Sequence, residues 1–248
     1  MSEELKLTGK AKLFFNWMDE GVDSLLDVGC ASSFMLNLLG QKAKKRFGLD
    51  FDTEKLIEGK AKFGHNQYVC GSGEDLPFKD NSIDVITFFE TLEHVANEQR
   101  FLKEIHRVLK PKGVIMLSVP NKGAVEFLDI DNIVFTPILW ILKKLGFFKN
   151  VSDYYLRYHR HYSRETLEKL FNSHFKIEKI YYGGLIANQL AFLIYKSLYL
   201  LLLLLRFKRN SKLLRTLHSW MDMVTSWDFD HCYGRFSDKL SVYARKVS

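Results

Sequence analysis

The chain has 248 residues, 47% of them hydrophobic, which is enough for one elaborated domain with a full core. Its three cysteines are scattered and odd in number, which argues against a disulfide framework or a CxxC zinc site and favours a reducing compartment. The net charge of +7 is compatible with nucleic acid, an anionic membrane or an ordinary solvated basic surface. The charged start, MSEELKLTGK, has no apolar stretch, so we expect no secretory signal and a cytoplasmic protein.

Up to about residue 121, short apolar runs alternate with helical patterns. The runs are too brief for helices and end at glycine or polar residues, which is typical of buried strands. Five successive strand–helix steps predict a doubly wound, mostly parallel α/β sheet of the Rossmann-like type. The predicted strands are 24–28, 46–50, 68–70, 83–89 and 114–120, and the predicted helices are 53–62, 97–109 and one that starts after Ser32 or Ser33 and ends at Gly40.

Beyond residue 120 this alternation is interrupted twice. Two segments rich in leucine, aromatic and basic residues, 121–162 and 183–238, separate the last elements of the sheet. Neither contains a repeat or a low-complexity linker, so we interpret both as apolar helical inserts built onto a core formed by 1–120, 163–182 and 239–248. The elements predicted in that last part of the core are a helix at 163–171 and strands at 175–182 and 239–246.

The stretch LLDVGCASSFML, residues 25–36, has the position of a nucleotide-binding turn but few of its glycines. A dinucleotide-binding turn needs three glycines so that its backbone can approach a pyrophosphate. Here Gly29 remains, and Ala31 and Ser33 occupy the other positions, which argues against a hydride-transfer enzyme. A ligand without phosphates still fits, and the free amides at the start of the next helix favour a carboxylate.

Asp50 adds a second constraint on the ligand. It lies about 20 residues after Gly29, at the tip of the second predicted strand, where an acid in such folds binds a ribose diol. S-adenosylmethionine has a ribose and a carboxylate but no phosphate. The sequence therefore predicts this cofactor.

Four ordered blocks make the chain resemble the class I S-adenosylmethionine-dependent methyltransferases, in the branch that includes the ubiquinone- and menaquinone-pathway enzymes. The blocks are LLDVGCASS, FGLD, GSGEDLPFKDNSIDVITFFETLEHV and FLKEIHRVLKPKGVIMLSVPN. They cover residues 25–121, and the two late strands extend the likeness. The resemblance implies a mostly parallel sheet with a terminal antiparallel strand, and S-adenosylmethionine as the methyl donor.

The resemblance also implies which residues contact the cofactor. The chain departs from the family pattern at Ala31 and Ser33 in the first block. At the matching positions, Asp27, Gly29 and Cys30 surround the methionine moiety, Asp50 binds the ribose, Phe51, Ser72 and Gly73 lie at the adenine, and Phe89 lies beneath the sulfonium.

His94 is the first candidate for the chemistry. Methyl transfer to a hydroxyl needs alignment and a base that accepts the proton, and His94 follows the fourth strand at the rim of the sheet. Glu90, Glu93 and His94 form an E-x-x-E-H pattern, which the ubiquinone-pathway O-methyltransferases associate with a divalent metal that acidifies the acceptor. Two interpretations stay open: His94 as a base or substrate contact, and Glu93 as a cap of the next helix.

His161 is the second candidate base. It lies in the polar-aromatic stretch RYHRHYS, residues 157–163, and related methyltransferases often have a similar stretch near the mouth of the active site. A histidine near its unperturbed pKa is a suitable proton acceptor. The alternative is a role in packing and capping at the entrance of the helix that follows.

Residues 185–205 are apolar over a length that could span a bilayer. At about 100° per residue, Asn188, Gln189 and Lys196 fall on one side of a helix, and the rest is almost all aliphatic. A spanning helix would bury Lys196 near its middle at about 2.5–3.5 kcal/mol. We therefore predict a helix lying in the membrane interface, with a similar contact from residues 133–149.

The inserts suggest an acceptor that lives in or on a membrane. The interpretation is a monotopic or peripheral methyltransferase on the cytoplasmic face, bound to anionic lipid, that methylates a hydroxyl of a lipophilic or lipid-linked acceptor. A second hypothesis is a methyltransferase of a soluble small molecule or glycan whose inserts form a lid or a homodimer interface. A third is an RNA-binding or scaffold protein on the same fold, but no RNA-specific motif is present, so no nucleic acid is expected.

Overall fold

A computed structural model of the protein describes residues 7–124, 129, 132–133, 136–146, 159–185, 190–191, 193–195, 197–198 and 212–247. The helices are α1 (Gly9–Trp17), α2 (Phe34–Leu39), α3 (Thr53–Lys62), α4 (Glu98–Val108), α5 (Thr136–Lys144), α6 (Arg164–Phe171) and α7 (Lys212–Phe229). The strands are β1 (Val22–Val28), β2 (Ala43–Asp50), β3 (Gln67–Cys70), β4 (Ile83–Phe89), β5 (Leu109–Pro120), β6 (Phe175–Gly183) and β7 (Lys239–Lys246).

The strands form one sheet of seven strands within the described residues, in the order β3-β2-β1-β4-β5-β7-β6. β1 pairs in parallel with both β2 and β4, and β3 and β5 extend this parallel core on either side. The winding reverses between β1 and β4, which is the switch point where ligands bind in open α/β sheets. The predicted fold class, a mostly parallel Rossmann-like sheet with a terminal antiparallel strand, is confirmed.

The chain divides into two compact units. The sheet unit comprises Ala11–Pro120, Arg160–Tyr181 and Leu240–Ser248, and the insert unit comprises Met1–Lys10, Asn121–His159 and Tyr182–Lys239.

The core of the sheet unit forms around the middle of the strands. Leu25 of β1 and Met116 of β5 are fully buried there, together with Tyr243 of β7. Phe14 of α1 is also fully buried in this cluster. α1 is an element that the sequence pattern did not predict, because its apolar residues follow no long amphipathic repeat.

The start of β5 differs from its prediction. The motif KPKG was expected to end a helix before a strand at 114–120, but β5 already begins at Leu109. Ile83 pairs with Leu109 and Val85 with Val114, so residues 110–113 bulge out opposite one residue of β4. The bulge contains Lys112 at φ 62°, a left-handed conformation that bends the chain locally before the pairing resumes at Val114.

A buried lysine anchors the end of β7. Lys246 donates hydrogen bonds from Nζ to the Asn81 side chain at 3.0 Å and to the carbonyl oxygens of His106 and Leu109, each at 2.7 Å. Burial lowers the pKa of Lys246. His106 lies beside it, and its ring packs at a tilted angle against the ring of His174, with the centroids 4.7 Å apart. Burial, followed by the nearby charges of Lys246 and His174, lowers the pKa of His106.

This arrangement predicts that acid destabilises the fold. The unfolded chain protonates His106 near its ordinary pKa of 6.5, whereas the folded pKa is lower, so the unfolded state binds more protons as the pH falls through that value. We expect a lower midpoint of urea unfolding near pH 5.5 than near pH 7.5, and a smaller difference in His106→Gln. His65→Gln, on an exposed loop, is the matched control. An undiminished difference in His106→Gln would contradict this account.

Candidate cofactor and active site

The carboxyl ends of four strands meet at one edge of the sheet. Asp27 pairs in register with Thr87 of β4, Val28 with Leu49 of β2, and Asp50 with Cys70 of β3. The segments that follow β1, β2, β3 and β4 therefore start side by side. They carry most of the site residues that the sequence predicted.

The turn after β1 keeps the backbone of a glycine-rich turn although two glycines are missing. Gly29 has φ 76°, and its amide donates to the Leu49 carbonyl at 2.7 Å. A Cβ at Gly29 would lie 2.5 Å from Thr91 Oγ1, so only glycine fits between these loops. Ala31 and Ser33 also have left-handed backbone conformations, at φ 44° and 67°. For residues other than glycine, such a conformation costs about 1–3 kcal/mol each.

Asp50 holds this turn in place. Its Oδ2 accepts a hydrogen bond from the Ala31 amide at 2.8 Å, and its Oδ1 accepts one from the Asp52 amide at 2.9 Å. A carboxylate has about four acceptor positions, so two remain for a ligand diol. Asp50 therefore orders the loop and can bind a ribose with the same group. The neighbouring Phe51 ring is 44% exposed, as a side chain that covers an adenine should be before the ligand binds.

Two of the predicted methionine-side residues are buried at the end of β1. Asp27 accepts a hydrogen bond from the Thr87 hydroxyl at 2.6 Å. Cys30 is buried, and burial raises the pKa of its thiol far above the usual value, so it stays neutral and is no nucleophile. At the end of β4, the Phe89 ring packs against Phe14 at a centroid distance of 4.5 Å.

The loop after β3 lies against the sheet. A Cβ at Gly73 would be 2.5 Å from the Phe101 ring, so the loop can come this close only because residue 73 is glycine. Ser72 accepts a hydrogen bond from the Glu74 amide at 3.1 Å. The Glu74 carboxylate in turn accepts the Ala96 amide at 2.7 Å, which ties this loop to the one after β4. Ser72 and Gly73 thus lie in a fixed loop at the same edge.

The turn after β4 does not form the metal site that its spacing suggested. Glu90 has φ 49°, and its Oε1 accepts a hydrogen bond from Ser118 of β5 at 2.7 Å. Glu93 is almost fully buried, and the His94 amide donates to the Thr91 carbonyl at 3.0 Å. No three His, Cys, Asp or Glu residues among those that the structure describes are placed to share a metal ion. The structure therefore does not support Glu90, Glu93 and His94 as a metal-binding set, and the Glu90 carboxylate is bound to Ser118 of β5.

The segment at residues 160–162 is bound to this same turn. The Arg160 guanidinium donates from Nη2 to the carbonyls of Leu92 and Val95 and from Nε to the carbonyl of Glu93 at 3.2 Å. Tyr162, which is buried, donates its hydroxyl hydrogen to Glu98 and lies within hydrogen-bond distance of the Leu92 carbonyl.

These bonds attach the segment that carries one candidate base to the turn that carries the other. His161 lies between Arg160 and Tyr162 in the chain, and His94 lies in the turn that both of them hold. Burial, followed by the hydrogen bond to Glu98, raises the pKa of Tyr162, so its hydroxyl remains a proton donor that fixes structure. The sequence indicated this patch by its density of polar and aromatic residues, but not the turn that it contacts.

The edge as a whole fits S-adenosylmethionine. The turn has room only for glycine at residue 29, an acid lies at the tip of β2, and an exposed aromatic ring follows it. Asp27 and Cys30 are buried at the end of β1, next to this turn. A mostly parallel sheet with this strand order and a terminal antiparallel strand is typical of the class I S-adenosylmethionine-dependent methyltransferases.

Known proteins support this assignment. Residues 26–117 match the family model of the methyltransferase domain. A probable S-adenosylmethionine-dependent methyltransferase of Mycolicibacterium smegmatis is 32% identical over 98 residues, covering 40% of this chain and 38% of that protein. The chloroplastic 2-phytyl-1,4-β-naphthoquinone methyltransferase of Arabidopsis thaliana is 29% identical over 192 residues, covering 66% of this chain and 71% of that protein.

Solved structures agree on the fold. The S-adenosylmethionine-dependent methyltransferase of Mesorhizobium loti covers 96% of this chain and 99% of its own, with a TM-score of 0.57 at 15% identity. The chain carries a class I S-adenosylmethionine-dependent methyltransferase domain, and the cofactor of that family is S-adenosylmethionine. The predicted family and cofactor are confirmed. The match spans well under half the length of the mycobacterial relative.

Proposed function

We propose that the protein transfers a methyl group from S-adenosylmethionine to a hydroxyl of a lipophilic or lipid-linked acceptor at a membrane surface. The cofactor supplies an activated methyl group, so the protein has to bind the cofactor, align the acceptor with it and remove a proton from the acceptor hydroxyl. Asp50 and the turn at Gly29 bind and orient the cofactor. His94 is the base that accepts the hydroxyl proton, and Arg160 holds the turn that carries it.

The observation that carries the membrane part of this proposal is where the apolar surface lies. Among the described residues, most exposed large apolar side chains belong to the insert unit. Contiguous exposed apolar surface on a protein marks an interaction with another protein or with a membrane. These side chains are Ile133, Ile138, Trp140, Ile141, Leu145, Leu190, Ile194, Trp220, Met223, Trp227 and Phe236, against Phe34, Phe51, Ile57 and Val247 in the sheet unit.

Helix α7 shows an amphipathic arrangement. Trp220, Met223 and Trp227 are 38%, 64% and 58% exposed, and their spacing of three and four residues places them on one face. Asp228 and Phe229 are buried, and Asp228 accepts a hydrogen bond from the Leu185 amide at 2.7 Å. One side of α7 is thus buried within the insert unit, and the side that carries Trp220 and Trp227 is exposed. Tryptophan favours the interface between lipid and water.

Helix α5 combines the same residue types. Trp140 and Ile141 are exposed, and the Lys144 ammonium lies 3.8 Å from the centre of the Trp140 ring. An aromatic ring with a lysine beside it suits a helix in the headgroup region, where the ring meets acyl chains and the cation meets phosphates.

The leucine-rich segment 185–205 lies largely outside the described residues, so its predicted interfacial orientation remains a prediction. Its described residues after Leu185, which are 190–191, 193–195 and 197–198, are helical, with Leu190 and Ile194 exposed and Ala191 buried. Within the described part of the chain, no helix combines the length and apolar character that crossing a bilayer requires.

The relatives are consistent with a lipophilic acceptor. The Arabidopsis protein is named for a quinone with a phytyl chain, and its similarity covers two thirds of this chain, beyond the cofactor-binding part. By analogy, we propose an acceptor with a polar, hydroxyl-bearing head and a long apolar tail.

Liposome flotation tests the membrane part of the proposal. We expect native protein to float with vesicles of phosphatidylcholine and phosphatidylglycerol. We expect Leu201→Glu combined with Leu204→Glu to lower vesicle binding at least about tenfold, because each buried leucine contributes about 1.5–3 kcal/mol. Binding of S-adenosylhomocysteine should be unchanged.

The matched control is Ile57→Glu combined with Val247→Glu, two exposed apolar residues of the sheet unit. This variant adds the same charge as the Leu201 and Leu204 variant, but outside the proposed membrane contact. It should therefore float like the native protein. Native protein that stays in the aqueous fraction would overturn the membrane proposal and favour inserts that form a lid or a dimer interface.

A further inference from the structure

A groove lies at the edge of the sheet opposite the cofactor site. It has a volume of about 490 Å³, within the range of small-molecule sites, and it is formed at the amino ends of β1, β2 and β4. β1 reaches the cofactor turn five residues after Ser24, which at about 3.3 Å per residue is roughly 17 Å. A molecule in this groove is therefore separate from the methyl acceptor.

The base of the groove is aromatic. The rings of Phe47 on β2 and Phe78 in the loop before β4 meet edge to face, with centroids 5.5 Å apart. Ile83, almost fully buried, also lines the groove. These side chains offer an apolar, aromatic surface against which the ring of a ligand could pack.

The rim of the groove is basic. Lys44 is paired with Asp23 at 2.7 Å, and Lys110 with Asp84 at 2.9 Å, so these charges are balanced. Two further lysines line the groove, Lys45 from β2 and Lys79 from the loop before β4. Both are exposed, and neither forms an ion pair within the part of the chain that the structure describes. The groove therefore carries an excess of about two positive charges.

The wall that carries Phe78 and Lys79 is rigid. Arg107 of α4 donates hydrogen bonds to the carbonyls of Leu76 and Phe78, at 2.9 and 2.8 Å, and is held by Glu104. The hydroxyl of Ser82 donates to the Lys79 carbonyl at 2.6 Å. The backbone that presents the ring and the ammonium is thus fixed before any ligand binds, which favours affinity because little ordering remains.

We infer that this groove binds an aromatic dianion, with its ring on Phe47 and Phe78 and its charges between Lys45 and Lys79. An aromatic phosphate has this chemistry, with two negative charges and one flat apolar body. Neither half suffices alone: lysines by themselves bind any anion weakly, and the apolar surface by itself does not select for charge.

Three probes separate these contributions in the full-length protein. 1-Naphthyl phosphate carries both halves, 1-naphthol only the ring, and inorganic phosphate only the charge. Calorimetry is run with saturating S-adenosylhomocysteine, which keeps the probe out of the cofactor site. We expect 1-naphthyl phosphate to bind at least about tenfold more tightly than either partial probe.

Charge reversal tests the location. Lys45→Glu combined with Lys79→Glu should weaken 1-naphthyl phosphate binding at least about tenfold, with an unchanged melting temperature. The control is Lys60→Glu combined with Lys103→Glu, which changes the net charge equally at two exposed lysines outside the groove. Equal loss in both variants, equal binding of inorganic phosphate, or no binding to native protein would each overturn the inference.

Discussion

Replacing His94 with alanine is expected to lower the turnover of methyl transfer by roughly 10²–10⁴-fold, the range for loss of a general base. Affinity for S-adenosylhomocysteine should be nearly unchanged, because the predicted cofactor contacts come from the turn at Gly29, from Asp50 and from the loop after β3. His94 lies five residues after the end of β4, in the turn at the edge of the sheet where we propose that cofactor and acceptor meet. Its turn is held by Arg160 and Tyr162, so the imidazole is supported on a fixed backbone.

Transfer of a labelled methyl group from S-adenosylmethionine into a total membrane lipid extract of the source cells measures this effect. His65→Ala, which removes a histidine on an exposed loop of the sheet unit, is the matched control and should retain full turnover. His161→Ala is the decisive comparison. If turnover survives in His94→Ala and is lost in His161→Ala, the base is the histidine between Arg160 and Tyr162.

Asp50→Ala is expected to weaken S-adenosylhomocysteine binding at least about tenfold, which corresponds to about 1.4 kcal/mol. The variant loses two things at once. It removes the predicted acceptors of the ribose hydroxyls, and it releases the Ala31 amide from Oδ2. Without that bond, the unfavourable left-handed conformations of Ala31 and Ser33 lose their support. The turn is then less ordered before the ligand binds. Asp50→Asn keeps one acceptor oxygen, so its affinity for S-adenosylhomocysteine should lie between those of the native protein and of Asp50→Ala.

Calorimetry with S-adenosylhomocysteine measures this loss, and Asp52→Ala supplies the control. Asp52 is two residues away and caps α3 by accepting the amides of Glu54 and Lys55. Its loss should lower stability by about 0.5–2 kcal/mol but leave cofactor affinity nearly unchanged. Native-like affinity in Asp50→Ala, or binding of NAD in place of S-adenosylhomocysteine by the native protein, would contradict the assigned site.

Local signals in the sequence were sufficient for many of the elements. Helix α3 begins and ends where predicted, and Asp52 caps its first turn. β4 and β7 also have their predicted bounds, since each is a short apolar run between polar residues. Strand order then follows from the family resemblance, and the carboxyl ends of parallel strands bring Asp27, Asp50 and Phe89 to one edge.

Other features depend on residues far apart in the chain. α1 is a weakly patterned segment that becomes a core element because Phe14 fills space against β1, β5 and β7. The E-x-x-E-H spacing matched a metal site, yet backbone conformation and the bond from Ser118 turn Glu90 toward β5. Spacing specifies which residues are near each other, but not where their side chains point.

The sequence by itself therefore determined the fold class, the family and the cofactor, because these follow from periodicity, caps and the resemblance of ordered motifs, which are local. Only the tertiary structure decided that Asp50 accepts a hydrogen bond from the turn after β1, that Arg160 binds the backbone after β4, and that lysines from separate elements line an aromatic groove. Each of these is a contact between segments 19 or more residues apart, as in the bond from Ala31 to Asp50. Such contacts exist only once the strands have paired, so no local pattern contains them.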